Sequence, residues 1–501
     1  MNVGINSLSL KKNTNAQVFR VVYGILSFVV VFLLFMSYTG GMWLSDELCV
    51  GIMMVSTITT IAYCAKKAEY RFFLLCFNAT YFLFLGSGVL SAMLDSGYLG
   101  GYLDVSPRSV SHTCHVLAFS LHIVNSLYVV LDSSGAMDSL AEKPLLRRKK
   151  GFKPLQKGTI QVIWIFFLIS LAADLVASIM QYRFLDTNTY VDSYIIGYNK
   201  PTYISLPESL FSFSLCLWLA TNPPKKLFTP FFIVVLISQG FLLMSGARSG
   251  AMIVLLQLFY YIYYRSRTDK DFFRITKGSI IVFLVLLPFL ILLLQVVKYT
   301  RVHESVKIGP QLFYEFFEDQ GISAKSVTRG YAYQDAIRNI GGSSYTFGAL
   351  RNYLSQNLVS RLLFGIETIG KNTIEMARSG YSFGSTLSYI CIRESYLSGI
   401  GSGSSYVAEL FHDGGIWLLA LGSAGISLLL LYLSKKTRTA KGIFKQAFLL
   451  LFFKNLLALP RSNSISWLTS TFSVQNLMLL AVLLIVNQLF SLRATQKEAA
   501  Q

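Results

Sequence analysis

The 501-residue chain is 53% hydrophobic and only 14% charged, with 44 Lys and Arg against 25 Asp and Glu, a formal net charge of +19. A soluble domain of this size exposes far more charge, which excludes an ordinary cytosolic enzyme. Most apolar runs are roughly 16 to 22 residues long, the length at which a helix crosses a ~30 Å hydrocarbon core, so the expected fold is an all-α polytopic membrane protein.

The N-terminal twenty residues place Lys11, Lys12 and Arg20 before an apolar run that is long for a signal sequence and has no small-residue cleavage site after it. This first run is expected to be a retained span. About twelve spans follow in order, near residues 21–38, 48–65, 72–94, 113–131, 159–178, 208–221, 227–246, 249–264, 278–297, 414–433, 442–459 and 470–491. With the N-terminus inside, the inner loops and the two termini carry 27 Lys and Arg and the short outer loops 5, namely Arg108, Arg183, Lys200, Arg248 and Arg461. The positive-inside rule then puts both termini in the cytoplasm. The same rule accounts for basic clusters such as Arg147-Arg148-Lys149-Lys150, so no nucleic-acid partner is expected.

Six cysteines are scattered, five of them in apolar runs and Cys391 in a polar stretch. No disulfide framework and no metal-ligand spacing follows. His115 and His122 on the fourth span read as packed polar residues. Asp174 in the fifth span and Lys454 in the eleventh are either proton relays or, more commonly for such outliers, a structural pair of opposite charges.

The seventh and eighth spans are joined by the tight hairpin Ser245-Gly246-Ala247-Arg248-Ser249-Gly250. The eighth ends in the aromatic belt Tyr260-Tyr261-Ile262-Tyr263-Tyr264. Counting about 20 residues back from Tyr264 places Arg248 at the outer hydrocarbon boundary, where a guanidinium either snorkels to lipid phosphates or meets a functional anion.

Three regions are expected: a bundle of spans 1 to 9 over residues 1–297, an outer loop over 298–404, and spans 10 to 12 over 405–501. The loop has no spanning run, is rich in Tyr, Phe, Leu and Ile, and carries 11 cations against 8 acids. Such a loop reads as a helical cap on the bundle, alone or also as the wall of a substrate cavity. In its segment LRNYLSQNLVSRLLFGIET, Leu350, Leu354, Leu358 and Leu362 predict the packed side of one helix, with Asn352, Gln356 and Ser360 on the opposite side. Beyond it lies GIGSGSSYVAELFHDGGIWLLALGSAG, where Glu409 and His412 stand three residues apart, one face of a helix near the outer surface. They form either a general base with its orienting partner or a polar helix start. In the eleventh span Pro460 ends the helix before Arg461.

The SGARSGAMIVLL hairpin, the long outer loop three-fifths of the way along, and GSGSSYVAELFHDGGIWLLALGSAG resemble Wzy-type O-antigen polymerases. Related chains often carry an aromatic residue before the glycine of the last segment, where this one reads Asp413-Gly414-Gly415. The resemblance implies a glycosyltransferase of the bacterial inner membrane needing no metal or other cofactor. It would move a glycan from undecaprenyl pyrophosphate to the terminal sugar hydroxyl of another lipid-linked repeat unit at the periplasmic face. It also implies contact with membrane lipids, with a chain-length regulator and with a flippase. Arginine gives bidentate, permanently charged hydrogen bonds to phosphate, so the pyrophosphate candidates are Arg248, Arg329, Arg351, Arg361, Arg378, Arg393 and Arg461. The acceptor proton would fall to Glu409, His412 or a loop carboxylate such as Glu367 or Glu394. An O-antigen ligase would share topology and donor. A flippase or other transporter is the alternative outside enzymes, although its halves would usually be related.

Overall fold

A computed structural model describes the chain except residues 1–2, 96–98, 100–102, 104, 135–154, 188–199, 247, 270, 274, 302–308, 342–343, 440–441 and 500–501. The basic cluster between Lys143 and Lys153 thus lies outside the described residues. Helix is the only extended secondary structure among the described residues. Among the described residues, eight helices are long and apolar enough to cross a membrane, and a ninth span arises if the bent pair Thr202–Ser209 and Phe211–Ala220, which meet at 42°, is counted as one. Three further helices, Arg248–Thr268, Lys277–Arg301 and Ile443–Leu457, coincide with the expected eighth, ninth and eleventh spans.

The helix Pro107–Ser134 is the axis of the bundle and packs against Val3–Thr39, Asp46–Ala65 and Tyr406–Thr439. In hydrocarbon, apolar burial does not by itself distinguish a helix partner from lipid, so helices find one another through packing and a few polar contacts. This axis supplies several. Asn125 and Asn78 exchange amide hydrogen bonds of 2.8 Å, Ser120 Oγ lies 2.8 Å from both Tyr406 Oη and Ser423 Oγ, and Arg71 is paired with Asp132 at 2.8 Å. His115 lies within 2.7 Å of the Leu34 carbonyl, a packed polar residue. Leucines, isoleucines and phenylalanines such as Phe28, Ile58 and Phe289 are left exposed, as a surface solvated by lipid requires.

Asp174 and Lys454 do not form the expected direct pair. The Asp174 carboxylate accepts from Ser238 Oγ at 2.5 Å and Gln239 Nε2 at 3.3 Å, and Lys454 donates to Ser212 Oγ. Hydroxyls on neighbouring helices satisfy each charge where it stands.

Residues 311–397 form eight short helices lying on one end of the bundle. Gln311–Gln320 is fixed to the third span by Ser87 Oγ and Ser91 Oγ, which donate to the Phe317 and Tyr314 carbonyls at 2.9 and 3.0 Å. Gly321 approaches so closely that a Cβ there would come within 2.3 Å of the Gly88 nitrogen. Ser323–Ala332 packs on the axial helix, with Thr113 Oγ1 donating to Thr328 Oγ1 at 2.8 Å.

The leucine-rich segment departs from expectation twice. It is two helices, Gly348–Ser355 and Leu358–Phe364, because Asn357 takes extended backbone and caps the second through the Ser360 N–H. Its apolar side is also not packed throughout, for Leu350 is half-buried and the Leu358 side chain lies outside the described residues. Leu354 and Leu362 are 61% and 74% exposed, whereas Ser360 is buried, Asn352 donates to the Gly380 carbonyl and Gln356 accepts from the Ile369 N–H.

Candidate catalytic and pyrophosphate-binding site

The helix Tyr406–Thr439 begins at the end of the bundle covered by the loop helices and is broken after two turns. Gly415 takes φ +61° and ψ −154°, a conformation open to glycine and strained for other residues. Tyr406–Asp413 is therefore a half-helix that ends near the cap, and it carries both Glu409 and His412.

Glu409 is fully buried. One oxygen accepts from Ser404 Oγ at 2.8 Å and the other from the Ser464 N–H at 2.8 Å. The carboxylate thus ties the segment entering the half-helix to the turn that follows Arg461. No hydrogen bond joins it to His412 among the described residues, so the base-and-orienter pair suggested by their spacing is not assembled here. The two oxygens of Glu409 turn instead to Ser404 and Ser464.

His412 is half-buried, with its ring 5.4 Å from that of Tyr345 and 5.7 Å from that of Phe383. Its Nδ1 is buried with no hydrogen-bond partner among the described residues. Two aromatic walls hold the imidazole, and Arg338 stands near enough for its charge to act on it. Nothing in the sequence marked Arg338, Tyr345 or Phe383, which belong to short helices and a turn without a motif.

Asp413, the last residue of the half-helix, has a defined task. One carboxylate oxygen accepts from Ser344 Oγ at 3.0 Å, the Tyr345 N–H at 2.8 Å and the Thr346 N–H at 2.6 Å. The half-helix thereby holds the turn that carries Tyr345 against His412. Hydrogen bonds to a charged group contribute about 1.5 to 3 kcal/mol each. Asp413→Ala should therefore lower the melting temperature and speed proteolysis between Gly341 and Gly348, measured on the full chain in detergent. Asp413→Asn, which keeps an acceptor oxygen, should show a smaller effect.

The arginines divide into two sets. Arg461 ends a 3-10 turn formed at Leu459-Pro460, where the proline stops the preceding helix, and its guanidinium lies 5.7 Å from the Phe84 ring. Arg329 is half-buried on Ser323–Ala332, which packs on both the axial helix and the Tyr406–Thr439 helix. Its charge also reaches Cys391, whose thiol burial pushes up to about 11, so that residue holds no thiolate at neutral pH. Arg351, Arg361, Arg378 and Arg393 lie apart from these two on the other loop helices and are exposed, as Arg461 is, with Arg351 stacked 3.7 Å over the Tyr381 ring and Arg393 5.1 Å from the Tyr389 ring. Glu367 and Glu394 are exposed there too. Arg248 is the first residue of its helix, and its side chain lies outside the described residues.

The half-helix is further supported by an aromatic cluster that the sequence did not reveal. His112 stacks on Tyr331 at 3.9 Å, meets Phe411 at 4.4 Å and lies 2.9 Å from the Tyr38 hydroxyl.

No curated protein and no solved structure matches the chain. The family model described as O-antigen polysaccharide polymerase Wzy matches residues 23–493, nearly the whole length, and the chain belongs to that family.

Proposed function

We propose that the protein joins undecaprenyl-pyrophosphate-linked O-antigen repeat units at the periplasmic face of the inner membrane by glycosyl transfer that needs no metal. The acceptor sugar's hydroxyl oxygen attacks the anomeric carbon of the donor glycan, the bond from that carbon to the pyrophosphate oxygen breaks, and the electron pair leaves with undecaprenyl pyrophosphate. His412 takes the hydroxyl proton. Arg461, Arg329 and Arg248 meet the charge that develops on the leaving group, as cations aimed at a developing anion do. Glu409 holds the Arg461 turn and the His412 half-helix together. The exposed arginines Arg351, Arg361, Arg378 and Arg393 guide the anionic substrate across the cap.

The reading includes a twelve-span topology with both termini cytoplasmic, residues 1–297 and 405–501 as membrane bundle and 298–404 as periplasmic loop. Its partners are a chain-length regulator and a flippase. Beyond family membership, the observation that supports it is the Ser464 to Glu409 hydrogen bond of 2.8 Å, which fastens the Arg461 turn to the half-helix bearing His412.

A deletion strain tests the function. Its lipopolysaccharide should carry a single repeat unit on the core, with the ladder restored by the intact chain. Core with no repeat unit at all would mean a ligase or a flippase instead.

A further inference from the structure

We propose that the helix Leu358–Phe364 and the residues just after it are an interfacial anchor, seated in the outer leaflet of the bilayer on the cap's side of the membrane. Leu362, Leu363 and Phe364 are 74%, 71% and 74% exposed, Leu354 on the preceding helix is 61% exposed, and Ile366 continues the patch. Water does not tolerate this inversion. An amphipathic helix on an aqueous surface turns its apolar side to the protein, whereas this one buries Ser360 and leaves Leu362, Leu363 and Phe364 outward, and just before it Asn352 and Gln356 are held by the Gly380 carbonyl and the Ile369 N–H.

Position identifies lipid as the occupant. Gly348–Ser355 packs on Ser466–Thr471, at the start of the last membrane-crossing helix, and Tyr353 Oη donates to the Phe472 carbonyl at 2.5 Å. That span presents Met478 and Ile485, each 59% exposed, to the hydrocarbon. The loop patch therefore continues a lipid-facing surface at its edge. Arg351 and Arg361, both exposed, flank it at headgroup level, as cations bordering an interfacial helix do. Gly365, with φ +63°, ends the helix and lets the chain turn back toward the cap. The inference does not depend on the glycosyl-transfer reading, since it concerns where this segment sits.

Spin labelling tests it on the full chain in vesicles of phosphatidylethanolamine with a minority of phosphatidylglycerol. In a Cys391→Ser background the five remaining cysteines are buried, so Leu363→Cys takes the label, with Glu375→Cys on an exposed polar face as the aqueous control. Power saturation should show residue 363 open to oxygen and closed to a water-soluble nickel chelate, at a depth of roughly 5 to 10 Å below the phosphates. Residue 375 should show the reverse. A label at 363 as open to nickel as the one at 375 would overturn the anchor. Shielding from both reagents would overturn it as well and point to a protein partner or a second copy. Leu362→Cys and Phe364→Cys repeat the test should the first variant fail to fold.

Discussion

His412→Ala is expected to slow the joining of repeat units by roughly a hundred- to ten-thousand-fold, the range over which a positioned general base acts. The measurement is the rate of polymer formation by purified protein from a lipid-linked acceptor and donor, at equal protein. Because the ring packs between Tyr345 and Phe383, alanine also removes contacts, and a loss of activity alone would not identify a base. His412→Phe separates the two roles. A packing role predicts that phenylalanine restores most of the rate, since it fills the same aromatic slot. A proton-accepting role predicts that phenylalanine is as inactive as alanine while its melting temperature stays close to that of the parent. Retention of more than about a tenth of the parent rate by His412→Phe, less than 1.4 kcal/mol in barrier, would remove the imidazole from the chemistry.

The membrane architecture was legible because hydropathy acts one segment at a time. The runs at 21–38, 48–65 and 113–131 lie inside the helices Val3–Thr39, Asp46–Ala65 and Pro107–Ser134, since an apolar stretch in lipid has little choice but to close its own hydrogen bonds. Pro460 likewise stops its helix by a local rule. The failures have physical causes. The stripe Leu350, Leu354, Leu358 and Leu362 shows that a segment is amphipathic, but not which solvent its apolar side meets. A reading that assumes water outside puts all four leucines in the core, whereas Leu354 and Leu362 face outward. The site was less legible still. Spacing placed Glu409 and His412 on one helix, but the partners of Glu409 include Ser464, 55 positions away, and those of Asp413 lie 67 to 69 positions earlier in Ser344, Tyr345 and Thr346. Backbone N–H groups supply one of the two donors to Glu409 and two of the three to Asp413, and every residue but proline has one, so no residue type announces them. The Asp413-Gly414-Gly415 departure was visible, whereas its meaning required the turn that it holds.

The second large effect is expected at Arg248. The helix Arg248–Thr268 is fixed at its other end by Arg265, which donates to the Pro223 carbonyl at 3.1 Å, to Tyr261 Oη at 3.0 Å and to Asp269 at 2.5 Å. At 1.5 Å per residue Arg248 stands about 25 Å from Arg265 along the axis, close to the ~30 Å thickness of the hydrocarbon core. A cation at that level is where a polyprenyl chain embedded in the bilayer presents its phosphates. Losing one charge-assisted contact that strengthens in the transition state costs on the order of 2 to 4 kcal/mol, so Arg248→Ala should reduce the rate roughly 30- to 1000-fold. Arg248→Lys distinguishes charge from geometry. Lysine should restore much of the activity if a point charge suffices, and should fail almost as badly as alanine if both phosphate oxygens are held by one planar guanidinium. An arginine that merely snorkels to lipid headgroups predicts normal polymer length for both substitutions, because the bilayer supplies phosphates whatever the substrate does. Polymer-length ladders from strains expressing each variant at matched membrane abundance decide the matter, and a full-length ladder from Arg248→Ala would take this residue out of pyrophosphate binding.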